Sequence, residues 1–218
     1  MKKLLYFFAT SLIISSCGQP NKTSEEAQEV KEVSTEAKLF SVDTENSTLN
    51  WEGAKITRTV HHGTINISDG SLAVKDGQLD AGNFTIDMNS ITNLDLTEDS
   101  GKLKLEGHLK SPDFFNVEAF PTAVFEITGV EAIADDPAAT HKITGNLTIK
   151  DITNSISFPA NVSISETMVN AKASMEIKRN EWDVVWGGSK TEQGIKDFLQ
   201  NNLIKDEFVI AVDLKAGI

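Results

Sequence analysis

The feature that most limits what this chain can become is an alternation of apolar and polar residues that recurs from about Leu39 to the C-terminus. "TAVFEITGV" sets Ala123, Phe125 and Ile127 on one side, with Thr122, Val124, Glu126 and Thr128 on the other. "NFTIDMNSI" does the same with Phe84, Ile86 and Met88, and "HKITGNLTIK" with Ile143, Leu147 and Ile149. "MVNAKASMEIKR" carries Val169, Ala171, Ala173, Met175 and Ile177, and the chain ends with Phe208, Ile210, Val212 and Leu214 in step. Successive side chains on a strand point to opposite faces, so each run has one face for a core. At least eight such runs predict an all-β, antiparallel sheet with one wet side. Roughly 180 residues is long for a sandwich and suits a closed eight-stranded barrel with one or two short helices.

Turn chemistry divides the runs. Asp69-Gly70 and Asp76-Gly77 are both hairpin signals between alternating segments. Thr97 can N-cap a helical turn with Glu98 and Asp99 near its positive end, which puts Leu105 and Leu109 on one face. A second helical spacing, Ile195, Phe198, Leu199 and Leu203, predicts a helix over 191–203 that packs on the barrel. The stretch "GHLKSPDFFNVEAFPTAVFEITG" (107–129) is unusually rich in phenylalanine. Ser111-Pro112-Asp113 is read as a helix start that lays Phe114 and Phe115 against the barrel, and Phe120-Pro121 as its end.

The N-terminus follows another logic. Lys2 and Lys3 precede an apolar run from Leu4 to Ile14, shorter than the about 20 residues that span a bilayer. Residues 1–16 therefore read as a secretory signal peptide. Ile14-Ser15-Ser16-Cys17 resembles a bacterial lipobox, which makes Cys17 the expected lipidation site; several acyl chains on one residue give a stable anchor where one chain does not. Residues 17–38 read as the lipidated N-terminus and a flexible, Glu-rich tether to a domain over 39–218. Cys17 is the only cysteine, so no intrachain disulfide can form. A net charge of −12 argues against nucleic acid or an anionic surface as partner.

Motifs of known chemistry are absent. There is no GxGxxG, Walker loop, HExxH or GxSxG, and the carboxylates are scattered over turns and strand exteriors, so no catalytic residue is assigned. Of the four histidines, His61 and His62 are neighbours that a strand would point to opposite faces, and no metal site is assigned. Arg179 ends an alternating run just before Trp182 and Trp186. It suits a packed, indole-stacked side chain better than a head-group contact, and both readings stay open.

Six segments, "WEGAK", "HHGTINISDGSL", "GNFTIDMNSI", "KLEGHLKSPDFFNVEAFPTAVFEIT", "ITGNLTIKDITNSISFPA" and "IKRNEWDVVWGGS", together resemble the YceI-like family in order and spacing, in its lipoprotein branch, over about residues 40–216. The resemblance implies a lipocalin-like barrel with an elongated apolar cavity for a long-chain amphiphile: a polyisoprenoid, an isoprenoid quinone or a fatty-acid-like molecule. It implies no enzymatic activity and no cofactor beyond such a ligand. Carried over by position, His61 and His108 match the histidines of the His-x-Gly-Thr and Gly-His-Leu motifs. Phe114-Phe115 match the paired aromatics, Phe125 the strand phenylalanine, and Arg179 with Trp182 the Arg-x-x-aromatic motif. Thr59 and Asp151 depart from it, standing where glycines are usual.

From the apolar faces and this resemblance, Phe84, Ile86, Phe114, Phe115, Phe125, Leu147, Ile177, Phe208 and Ile210 are the expected cavity wall. His61, His108, Arg179 and Trp182 are the candidate head-group contacts. The expected setting is an exported lipoprotein facing the periplasm, in the outer membrane rather than the inner because Gly18 is not the retaining aspartate, with surface exposure also open. The resemblance allows a homodimer, though no exposed apolar stripe demands one. A packed barrel serving as a structural or adhesive surface lipoprotein is the alternative, and cavity volume separates the two.

Overall fold

The computed structural model describes residues 24–134, 136–188, 191–192, 195–196 and 203–218. Its elements are β1 (Glu25–Glu26), β2 (Lys38–Val42), β3 (Thr48–Lys55), β4 (Val60–Lys75), β5 (Gln78–Asn93), α1 (Lys102–Lys110), β6 (Thr122–Ala132), β7 (His141–Ile149), β8 (Ile152–Ile164), β9 (Met168–Lys178) and β10 (Ile204–Gly217). Strands β3 to β10 pair antiparallel in sequence order, and β10 returns to β3 through Phe208–Gly53 to Asp213–Thr48. That last ladder closes an eight-stranded barrel, as the alternation predicted. Short β2 pairs with the far ends of β4 and β10.

The apolar faces all turn inward. Ala123, Phe125 and Ile127 of β6 are buried, as are Ile143, Leu147 and Ile149 of β7. Gly145 shows how tightly the wall is built: a Cβ there would lie 2.3 Å from the Phe125 ring, so glycine lets that ring lie across β7. Gly63 plays the same part in the His-x-Gly-Thr motif, where a Cβ would meet the Thr92 carbonyl and the Trp51 indole.

Several local expectations are corrected. Asp76 and Gly77 form the β4–β5 hairpin turn, both at positive φ. Asp69-Gly70 forms none: β4 runs straight through it, with a register shift between Ile67 and Asp69. Gly70 is needed there for close approach, since a Cβ would sit 2.8 Å from the Asn83 carbonyl. Thr97 closes a turn with Ser100, but the helix begins only after Gly101, at φ 105 and with no side-chain cap. Ser111 is the end of α1, not the start of a helix; its hydroxyl donates to the His108 carbonyl, and 112–115 continue as turns. Asn116, at φ 48, then redirects the chain toward β6.

Phe198 and Leu199 of the second expected helix lie outside the described residues; Leu203 is buried and Ile195 exposed. Cys17 and residues 1–16 also lie outside them. The expected flexible tether is, from Ser24 onward, a strap on the barrel wall. Ser24 donates to Glu181, β1 pairs with Asn154 and Ser155 of β8, and Gln28 exchanges two hydrogen bonds with the buried side chain of Asn146. Polar positions on the outer barrel face thus find main-chain partners in a segment whose composition alone suggested none. Asp151 takes φ 58 in the Lys150-Asp151 turn between β7 and β8, a conformation aspartate tolerates better than most residues.

Candidate functional site

The barrel interior is not filled. A cavity of about 790 Å³ runs down it, within the range of small-molecule sites. Ile204, Phe208, Ile210, Val212 and Leu214 of β10 all line it. Ten residue steps along that strand are about 33 Å, and the usual strand tilt reduces this to about 25 Å along the axis. The site is long and narrow, which suits a linear chain.

Every expected wall residue lines it: Phe84 and Ile86 from β5, Phe125 from β6, Leu147 from β7, Ile177 from β9, Phe208 and Ile210 from β10, and Phe114 with Phe115 from the turns after α1. Two aromatic groups stand out. At mid-depth, Phe125 packs between Phe84 at 6.3 Å and Phe158 at 5.7 Å, ring centre to ring centre. Near the rim, Phe114 contacts His108 at 5.1 Å, Trp186 at 5.9 Å and Phe115 at 6.2 Å. Beyond Phe158 along β8 the wall is small: Ala160 is paired with Ala173 of β9, and Ala171 is next in line. This pairing of large and small walls is what leaves room inside.

Polarity is confined to one end. The charged residues of the lining are Lys55, Lys104, Arg179, Lys205 and Glu207, and each belongs to α1 or to a segment where β3 ends, β9 ends or β10 begins. His61, His108 and Ser100 are at that end as well. The other end is closed by Leu72, Leu79, Ile127, Ile143, Val162 and Leu214. The cavity therefore has a polar, mainly cationic mouth and a dry floor.

The four candidate head-group residues separate on inspection. His108 lies edge-on to Trp186 at 4.3 Å, and its Nε2 is 3.7 Å from Asp113. Burial pushes its pKa down, Lys104 adds to this and Asp113 opposes it, so the ring is neutral at pH 7. His61 is at the rim with its Nδ1 2.8 Å from Asp95. Burial raises the Asp95 carboxyl, but hydrogen bonds from the His62 N–H, His61 and Asn93 outweigh it and hold the pKa at about 2.

Arg179 lines the cavity but is buried, and its donors are committed. Nε donates to the Lys205 carbonyl, Nη1 to those of Val184 and Trp186, and Nη2 to Ile204 at 3.5 Å, with Asp206 also at 3.5 Å. Burial lowers its pKa, and Asp206 and Glu207 oppose the shift. The guanidinium ties the turn after β9 to the start of β10, and it stacks over Phe114 at 5.8 Å. This is the packed role, not a free head-group contact. Trp182 is corrected outright: it is fully buried outside the lining, with its indole N–H donating to the Leu147 carbonyl. Trp186, four residues on, is the indole that faces the cavity.

Lys104, Lys205 and Trp51 are lining residues that sequence reasoning passed over. The lysines carry no local signal, being ordinary surface residues until the barrel closes. Asn93 was missed too: it is fully buried at the end of β5, where its side chain bonds His62, Asp95 and Leu96 and its N–H donates to Glu106 of α1. A buried polar residue at a strand end leaves no trace in an alternation pattern.

A barrel closed at one end, holding one long apolar cavity with a polar mouth, is the architecture of a binding protein for an extended amphiphile. The YceI-like domain model matches residues 40–216, and the chain belongs to that family. Among curated relatives, a UPF0312 protein of Azotobacter vinelandii is 41% identical over 58 residues, 27% of this chain and 29% of that protein. The YceI protein of Salmonella arizonae is 35% identical over 81 residues, 37% of each chain. These matched stretches span only about a third of the relatives' length. Among solved structures, BcnA of Burkholderia cenocepacia has a TM-score of 0.58 at 20% identity, covering 80% of this chain and 99% of BcnA. A polyisoprenoid binding domain from Saccharophagus degradans has a TM-score of 0.55 at 19% identity, covering 82% and 97%. These two likenesses establish the shared fold.

Proposed function

We propose that this protein binds and carries one long-chain amphiphile, a polyisoprenoid, isoprenoid quinone or fatty-acid-like molecule, with its tail along the barrel axis and its head at the mouth. The observation that carries this is the confinement of every charged lining residue to one end of a 790 Å³ apolar cavity. A tail in the shaft gains up to about 0.8 kcal/mol per buried methylene, before the cost of ordering it. At the mouth, Lys55, Lys104 and Lys205 against Glu207 favour an anionic head. The binding of a polyisoprenoid by the Saccharophagus degradans relative supports the same class of ligand. The reading is of a carrier, not an enzyme. Export, acylation of Cys17 and a periplasm-facing membrane location complete the proposal, supported by the N-terminal sequence. The packed, adhesive alternative is disfavoured by the volume left inside.

Native mass spectrometry and lipid extraction of the purified protein test it. A co-purifying chain is expected, and Ala173→Trp, which fills the small wall, should expel it while the barrel stays folded. Absence of any ligand together with no binding of prenyl or acyl probes would sink the carrier reading.

A further inference from the structure

Exposed large hydrophobic residues are unevenly distributed over the barrel. Outside the N-terminal strap, among the described residues, Ile56, Val60, Leu94, Leu103, Val185 and Ile195 are exposed at the mouth end, whereas Leu39, Met168 and Ile218 stand at the far end. The mouth residues come from four separate segments: the β3–β4 connection, the end of β5, α1 and the excursion between β9 and β10. Leu103 is 63% exposed and Leu94 57%, which leaves two large apolar side chains open to solvent among the described residues. A collar of this kind marks an interaction surface.

Three observations say what covers it. The collar surrounds the opening of a cavity shaped for a hydrocarbon chain, so its partner must deliver such chains. Arg58, Lys102 and Lys104 stand in the same segments and Lys205 at the start of β10, as interfacial cations do beside lipid phosphates. The N-terminal strap meets the barrel at this end too, because Ser24 bonds Glu181 in the turn after β9. Six residues separate Ser24 from Cys17, and seven residue steps reach at most about 25 Å.

We propose that the mouth end is a bilayer-docking face: the apolar collar seats among the lipid headgroups, and the cavity opens directly into the membrane. This rests on the amphiphile-carrier reading above and adds to it an orientation and a route, in which the tail passes from bilayer to barrel without crossing water. Glu98, Asp99, Glu181 and Asp183 lie in the same segments, so attachment is driven by apolar insertion and not by net charge. Docking therefore occurs on phosphatidylcholine vesicles as well as on those with added phosphatidylglycerol.

The test uses the membrane-purified chain reconstituted in phosphatidylcholine vesicles, with one bimane label placed through Leu103→Cys, Val185→Cys or Met168→Cys. An acylated Cys17 takes no label, and mass spectrometry of the label site checks that separately. The mouth labels are expected to be quenched by nitroxide lipids and shielded from aqueous iodide, and the Met168 label the reverse. Equal, water-like quenching at all three positions would overturn the proposal. So would mouth labels shielded without vesicles in a chain that light scattering shows to be a dimer, since a second copy would then cover the collar. A paired Leu94→Asp and Leu103→Asp variant gives an independent readout. It should slow transfer of dansylundecanoate from vesicles several-fold, while leaving equilibrium binding of the same probe in solution unchanged. Unchanged transfer contradicts docking, whereas loss of solution binding in the unaltered protein would contradict the carrier reading instead.

Discussion

At its far end the barrel is closed by aliphatic side chains from its own strands, among them Leu72, Leu79, Ile143 and Leu214. At the mouth it is covered by pieces that are not strand at all: α1, the turns holding Phe114 and Phe115, and the Arg179 turn. The floor is apolar, continuous and held by ladder hydrogen bonds on every side. The cover is held by a few specific polar contacts, Arg179 to four carbonyls and Asn93 to α1 through Glu106. Covers held by few contacts open at lower cost than cores, so ligand passage belongs at the mouth and retention at the floor.

The comparison can be broken most severely at Arg179. Replacing it with Met strands four buried or half-buried carbonyls and should cost about 3–5 kcal/mol in chemical denaturation. Lys should rescue little, because an ammonium cannot reproduce the fork. Next comes a matched pair. Leu72→Ala at the floor should cost about 2–5 kcal/mol, and Leu105→Ala in the cover about 1 kcal/mol or less; similar losses would erase the distinction between the ends.

A smaller effect concerns His108. Its imidazole is held neutral by burial, and an anionic head beside it would favour the protonated form, so binding takes up a proton. Affinity for a long-chain alkyl sulfonate, which does not itself titrate, should rise a few-fold as pH falls below the ordinary histidine value of 6.5. His108→Gln should flatten that profile. The smallest effect is at Asp95. Its folded pKa of about 2 lies below the 3.8 expected for an unperturbed aspartate, so its contribution to stability is present above pH 3.8 and fades as pH falls toward 2. Asp95→Asn should lower stability at neutral pH, where that contribution is fully present, and flatten the acid branch so that the two proteins converge as pH falls toward 2.

Much of the barrel was legible in the sequence, because a period of two is a property of the strand itself. The inward faces of β5, β6, β7, β9 and β10 follow directly from it, and with them most of the cavity wall. Non-local features were not legible. Asp69-Gly70 has the composition of a turn, and only the neighbouring strand's Phe84 and Asn83 make it part of a long strand. Trp182 and Trp186 are alike in sequence, and the hydrogen bond from Trp182 to Leu147 decides which one turns away from the cavity. Ser111-Pro112-Asp113 has the residues of a helix start, yet the helix before it uses Ser111 as its end. Lys104 and Lys205 become a cationic mouth only when the closed barrel brings α1 and the start of β10 to the same cavity.

The central claim is a linear chain in a shaft about 25 Å deep, read most directly by the affinity of a homologous series of straight-chain carboxylates. Affinity should climb by up to roughly fourfold per methylene until the chain reaches the floor at Leu72 and Leu214, and then level off. In Ala173→Trp the plateau should come several methylenes earlier. An affinity that does not depend on chain length, or that continues to climb unchanged in Ala173→Trp, would contradict the account.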